Sequence, residues 1–184
     1  MEYQIIYSKR KTISIEVKSD NSVVIKAPRT ATKRQIEAFV ESKSDWIKKA
    51  QSRQSARAEE YARIPKLTNT EIRLLADQAA KDIASRVRYY APIVGTDFNR
   101  ITIRNQTTRW GSCSGKGNLN FNCLLMLTPE EVRDYVVVHE LCHRLQMNHS
   151  TAFWNEVARV LPDYADRRKW LKDNGPKIIA MMKK

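Results

Sequence analysis

Apolar and polar residues alternate over residues 3 to 27. Ile13, Ile15 and Val17 share one face, "KSDNS" turns the chain, and Val23, Ile25 and Ala27 resume the period. Successive side chains of a strand point to opposite faces, so this spacing predicts a small antiparallel meander that Pro28 ends. Thr32 followed by Gln35 has the form of a capping box, and it opens a helix whose stripe runs Ile36, Phe39, Val40, Trp46, Ile47. The polar stretch that follows, up to Pro65, reads as an exposed helix or linker. A second box, Thr68 with Glu71, opens a helix carrying Ile72, Leu75, Ala79, Ile83 and Val87, which is expected to stop before Pro92. Residues 100 to 104, "RITIR", form a strand. Residues 107 to 127 form a hairpin around "GSCSGKGN", where three of the five glycines fall.

Thr128, Pro129 and Glu131 make a third box, with Pro129 at the first helical position, where its missing N–H costs nothing. The helix they open carries Val132, Tyr135, Val136, Val138, Leu141 and Leu145, apolar around much of its circumference, and is therefore expected to be buried. Ser150 caps a further helix bearing Phe153, Val157, Val160 and Leu161, and Asp163 caps a last one bearing Trp170 and Leu171. The pattern is that of an α+β chain. It divides near Pro65 into an N-terminal meander with a long helix, residues 1–64, and a larger unit, residues 65–184, with a helix, a small antiparallel sheet and C-terminal helices.

Composition narrows the classes. At 184 residues and 42% apolar content the chain can bury a real core, and its apolar runs are too short to cross a bilayer. The start lacks the succession of a secretory signal, and the three cysteines, Cys113, Cys123 and Cys142, lack the spacing of a disulfide framework. The expectation is a cytoplasmic protein with free thiols and no membrane partner. The net charge of +13 is spread along the chain without a basic tail. Such a surface suits phosphates, an acidic substrate or non-specific nucleic acid, and equally serves solubility.

All three histidines lie between residues 139 and 149, in "HELCHRLQMNH". His139 and His143 are four apart on the predicted helix, so their rings leave one face a turn apart and can share a metal ion. Glu140 lies about 100° further round, beside the ion rather than on it. In this HExxH arrangement Zn²⁺ lowers the pKa of a coordinated water to about 7 and the glutamate takes the proton as the water attacks a carbonyl or phosphoryl centre. A catalytic zinc takes three protein ligands, and His149 is the one histidine left to supply the third. Asn148 before it suits the left-handed turn that brings it back. Glu156 and Asp163, on the following helices, are the rival third ligands. Cys142 reads as a small buried residue. "GSCSGKG" misses the spacing of a phosphate loop by one residue and puts Gly117 where a Ser or Thr would hold magnesium, so it reads as a turn.

The ordered series "RWGSCS", "NLNFNCLLMLTP", "YVVVHELCH", "NHSTAFW" and "LPDYADRRKWL" resembles the YgjP-like family of predicted metal-dependent hydrolases, related to the SprT-like and WLM metallopeptidases. The likeness extends over nearly the whole chain. It implies a zincin-like catalytic domain over residues 65–184, one zinc on His139, His143 and His149, and Glu140 as catalytic acid and base. The third histidine falls at the metzincin distance, but Gln146 stands where metzincins have glycine, which predicts that the zinc helix runs on to about Met147. Zincin peptidases bind substrate as an added strand on a sheet edge. The hairpin would form that wall, with Arg109 and Trp110 as candidate substrate residues. The leading expectation is a zinc metallopeptidase acting on polypeptide. The alternatives are a metal-dependent nucleotide pyrophosphatase or phosphohydrolase, and a DNA-associated SprT-like protease or binding module. Histidine triads also accept cobalt, nickel or manganese.

Overall fold

Val23, Val24, Ile25 and Ala27 are all buried, so their strand (β3, Val23–Pro28) sits at the centre of its sheet rather than at an edge. In the computed structural model, which describes residues 2–182, β1 (Gln4–Ser8) runs parallel to β3 on one side and β2 (Ser14–Val17) antiparallel on the other. The order is β1-β3-β2. The expected antiparallel meander is therefore corrected to a mixed sheet. Alternation along the chain identifies strands and their faces but carries no information on which neighbour each strand selects. The turn into β3 uses Asn21 at φ 65°, with the Asn21 amide donating to the Ser55 hydroxyl.

Thr32 caps α1 (Lys33–Ser42) as expected: its hydroxyl accepts from the Gln35 amide while the Gln35 side chain accepts from the Thr32 amide. The predicted single stripe breaks at Lys43, at φ −113°, and a second helix, α2 (Ser44–Ala62), continues through the polar stretch. Ile36, Val40 and Ile47 close the core of this unit against Val23, Ile25 and Ala27. The chain divides at this point, one unit ending at Arg63 and the other starting at Ile64.

The second unit is organised by two helices. The long α3 (Asn69–Val94) opens on the Thr68–Glu71 capping box and buries Ala79, Ile83, Val87, Ala91 and Val94 along one stripe. It does not end before Pro92 but runs through it to Gly95, whose φ of 83° stops the helix. The Arg159 guanidinium donates to the Ile93 and Val94 carbonyls, which the helix end leaves without intrahelical donors. In the second sheet β6 (Asn118–Asn122) is central, parallel to β4 (Arg100–Arg104) and antiparallel to β5 (Gly111–Cys113). This sheet, too, is mixed where an antiparallel one was expected. The hairpin β5–β6 is present but shorter than its sequence suggested. Residues Cys123–Leu127 coil into a 3₁₀ turn because the buried Asn122 side chain accepts from the Leu124 amide and donates to the Gln106 and Arg109 carbonyls.

Next comes α4 (Glu130–Cys142), buried at Val132, Tyr135–Val138 and Glu140–Cys142. Its start corrects the third capping box. Pro129 is the cap residue, with no side-chain cap, and the Thr128 hydroxyl donates back to the Leu125 carbonyl instead. Helices α5 (Thr151–Val160) and α6 (Tyr164–Ala180) complete the unit. Ser150 caps α5 by accepting from the Phe153 amide. Asp163 stands at the start of α6 without capping it, its carboxylate accepting from Arg167. Among the described residues no helix is long and apolar enough to cross a membrane.

Two guanidinium clamps fix α4 in place. Arg86 of α3 pairs with Asp82, Glu130 and Asp134, and Arg133 of α4 pairs with Asp82 and Glu130. Arg144, just past α4, donates to the Asp97 and Gly115 carbonyls and to the Asp97 carboxylate, anchoring the hairpin turn to the end of α4. Because Arg86, Asp82 and Asp134 are largely shielded from water, Arg86→Ala would leave Asp134 without its ion pair and Asp82 with Arg133 alone. We expect a loss of about 2–3 kcal/mol in urea unfolding. An unchanged midpoint would reduce the cluster to a solvated surface pair.

Candidate metal centre

The helix α4 delivers His139 and Glu140 in its last turn, and His143 is its C-terminal cap residue. The helix does not run on to Met147. The Arg144 amide bonds the Leu141 carbonyl while the Leu145 and Gln146 amides converge on Cys142, so the chain tightens and leaves the helix. The His143 ring locks this turn through Nδ1, 3.1 Å from the Gln146 carbonyl. Asn148 is not left-handed either, since Asn21 is the one non-glycine residue with positive φ among the described residues. The return to His149 is made by this tightened turn.

The result brings His139, His143 and His149 together, with one nitrogen of each within 4.8 Å of the others, and with the Nε2 atoms of His139 and His149 3.1 Å apart. Ligand nitrogens of one tetrahedral zinc stand roughly 3.3 Å apart, so the spacing suits a single ion. The tautomer of His143 suits it as well: Nδ1 donates to a carbonyl, which leaves the Nε2 lone pair for a metal. Burial, aided by the neighbouring imidazoles and Arg168, lowers the His139 pKa to about 3, and burial also lowers that of His143. Both are neutral bases at neutral pH, the form a metal requires. His139 Nδ1 is buried without a partner, so on that side packing orients the ring, while Nε2 faces His149.

That packing comes from a residue whose role the sequence reading missed. Phe153, fully buried in the first turn of α5, has its ring centroid 4.9 Å from His139, 4.5 Å from His143 and 4.9 Å from His149. The pattern had placed Phe153 only on an apolar helix face. The available signal was its register, since the Ser150 cap sets it one turn beyond His149. Trp154 beside it stacks on His149 and on Tyr164, and the Arg168 guanidinium lies 4.5 Å over its ring.

Glu140 is 5% exposed, and its Oε2 is buried without a hydrogen-bond partner. Burial raises its pKa to about 8, with the charge of Arg109 opposing the rise. Its carboxyl lies against Gly111 of β5, where a Cβ would stand 2.6 Å from Glu140 Oε1 and 2.7 Å from its Cγ. Gly111 is therefore the hairpin's concession to the carboxylate, and with Ser112 and Cys113 it forms one wall of a cleft of about 280 Å³. His139, Glu140, His143 and His149 line the same cleft.

The other candidates fall outside this group. Glu156 accepts from Arg159 and Asp163 from Arg167, and neither carboxylate belongs to the histidine cluster. Trp110 lies away from the cleft lining, with its indole packed on Gly175 of α6. Arg109 is exposed, close enough to act on Glu140 by charge but not part of the cleft lining. Cys113, Cys123 and Cys142 are free thiols, and Cys142 is buried as expected.

An α+β unit in which a helix presents two histidines and a buried glutamate beneath a third imidazole has the build of a metal-dependent hydrolase. The chain belongs to the YgjP-like family: the family described as "YgjP-like, metallopeptidase domain" matches residues 11–78 and 62–174. It is accordingly a metallopeptidase-family protein with a metal cofactor. Among solved structures it is similar to the metallopeptidase zymogen abylysin of Pyrococcus abyssi, at 26% identity over 49% of this chain and 93% of that one, with a TM-score of 0.44. It is also similar to the metallopeptidase zymogen jannalysin of Methanocaldococcus jannaschii, at 23% identity over 50% of this chain and 96% of that one, with a TM-score of 0.44. No curated protein matches the chain.

Two outcomes follow from this geometry. Phe153→Ala removes the surface shared by all three rings, and metal affinity should fall roughly 10–100-fold in a competitive chelator titration, with about 3–5 kcal/mol lost in stability. In metal-stripped protein, Glu140 binds a proton when folded that the unfolded chain has released between the ordinary value of 4.5 and about 8. The native state is thus increasingly penalised as pH rises through that window. Glu140→Gln lacks this penalty, so its thermal midpoint should pull ahead of the wild type from pH 4.5 upward and level off above pH 8. A constant offset across the range would contradict the assignment.

Proposed function

We propose that this chain is a zinc-dependent peptidase whose single ion is held by Nε2 of His139, His143 and His149, with Glu140 as its proton carrier. The observation that supports a polypeptide substrate is the position of β5. It is an edge strand, paired among the described residues with β6 alone, and all three of its residues line the cleft that holds the histidines and Glu140. An extended peptide can add to such an edge through main-chain hydrogen bonds, which carry affinity without demanding a sequence.

The bound ion supplies Lewis acidity, polarising a carbonyl and acidifying water at neutral pH. The Glu140 carboxylate takes the proton of the attacking water at an oxygen and passes it to the leaving amide nitrogen. Its burial favours the protonated state that the second transfer starts from, and a nearby cation favours the ionised state that the first requires. Gly111 leaves room for that carboxylate at the foot of the edge strand. Arg109, whose charge is felt at Glu140, is the candidate to hold a substrate carbonyl or carboxylate. Cobalt, nickel or manganese can replace zinc on three imidazoles.

Glu140→Gln should retain one equivalent of zinc by metal analysis while its cleavage of an unfolded protein such as casein falls about 10²–10⁴-fold. Full activity in that variant would remove Glu140 from the mechanism. Release of pyrophosphate or phosphate from a nucleoside triphosphate, with no peptide cleavage, would transfer the same metal chemistry to a phosphoanhydride substrate.

A further inference from the structure

We propose that Arg168 is a specificity residue: it binds an anionic group of the substrate beside the metal centre, so that the cleft selects chains carrying a carboxylate or phosphate near the scissile bond. The inference rests on the peptidase reading given above and names the substrate class of that site.

The placement of Arg168 is set by a stack of rings. His149 lies on Trp154 with centroids 5.7 Å apart and planes 25° apart, and the Arg168 guanidinium lies 4.5 Å from the centroid of that indole. One aromatic side chain thus spaces a permanent cation from a metal-ligating ring. Trp154 is itself braced by Tyr164, at 5.4 Å and 16°. Since α6 carries both Tyr164 and Arg168, one turn apart, the brace and the cation move together. A guanidinium stacked on an aromatic face keeps its in-plane N–H donors directed outward.

Among the described residues nothing accepts from those donors. Arg86, Arg133, Arg144, Arg159 and Arg167 of the same unit each meet a carboxylate. The neighbouring Arg167 also donates to the Glu131 carbonyl. Among the described residues Arg168 has no ion pair and no hydrogen bond; it lies over Trp154, its charge is felt at His139 and Tyr135, and it is exposed. Arg168 does not itself line the cleft, but its charge is felt at His139 and Trp154 links it to His149. An arginine so held is complementary to a carboxylate or phosphate, which it can bind through two parallel hydrogen bonds.

The test uses the full-length zinc-loaded protein and fluorogenic ten-residue peptide libraries in which one position at a time is fixed as Glu, phosphoserine, Gln or Lys. Cleavage is read as kcat/KM, and binding is read by displacement from the zinc-loaded Glu140→Gln protein. At one or more positions an acidic residue should exceed Gln by roughly tenfold or more. Arg168→Ala should abolish that preference while leaving zinc content unchanged, Arg168→Lys should keep part of it, and Arg168→Glu should shift it to Lys. Preference for Glu over phosphoserine identifies the group as a carboxylate, and the reverse identifies a phosphate. Equal loss on all four library sets in Arg168→Ala, or no acidic preference in the wild type, overturns the proposal. If the wild type cleaves none of the libraries the peptidase reading fails, and charge-selective binding to the Glu140→Gln protein still decides the role of Arg168, with indifferent or absent binding counting against it.

Discussion

Glu140 is a carboxyl group placed on the buried face of a buried helix, with one oxygen lacking any hydrogen-bond partner. Uncompensated, such a group works against folding, because water is removed from it and little is returned. The structure reduces the cost by leaving the carboxyl protonated when no metal is present and by opening the facing strand at Gly111. The neighbouring His139 meets the same desolvation with the opposite response, staying neutral by losing its proton. One apolar environment therefore prepares both groups for metal chemistry, as an uncharged ligand and as a carboxyl whose ionisation is sensitive to a nearby cation.

An apolar setting for polar chemistry requires a scaffold that does not itself depend on the site. Helix α4 is pressed against the stripe of α3 from Ala79 to Val94, and its outer edge is clamped by the Arg86 and Arg133 cluster. The hairpin is anchored separately, by Arg144 to its turn and by Asn122 to its base. These two anchors hold β5 over the last turn of α4, and the rings of Phe153 and Trp154 close the remaining side. A metal held by the three histidines would thus add to an arrangement that packing and hydrogen bonds already define.

The parts of this arrangement that were legible in the sequence are those governed by local rules. The boxes at Thr32 and Thr68 and the cap at Ser150 form as their residues require, because cap and partner are three positions apart and need no tertiary context. The convergence of His139 and His143 follows from helical period alone. What was not legible depends on distant partners. β1 and β4 pair in parallel with β3 and β6, choices made by burial of the central strands. Pro92 is carried inside α3, which runs on past it to Gly95, and the end carbonyls of Ile93 and Val94 are satisfied from outside the helix by Arg159. Thr128 fails as a cap because its hydroxyl is claimed by the Leu125 carbonyl of the preceding 3₁₀ turn. The turn to His149 was assigned to Asn148 on propensity, whereas side-chain bonding by His143 achieves it.

The net charge of +13 shows the same limit in another form. A count treats every arginine as an equal source of positive field, but the fold uses several of them as fittings. Arg144, Arg159 and Arg167 each bind a carboxylate and one or more main-chain carbonyls, so their guanidinium forks are occupied in geometry as well as in charge. Pairing leaves the total unchanged and alters where the field is felt, because a cation locked to an anion projects little beyond a Debye length of about 8 Å in physiological salt. Near the cleft the paired Arg144 acts on Cys113, and two arginines without an ion pair among the described residues act on the buried groups. Arg109 acts on Glu140 and Arg168 on His139, one on the buried carboxyl and one on a histidine of the cluster. The basic composition, read first as a diffuse property of the whole surface, thus has a specific expression at the two sides of the site.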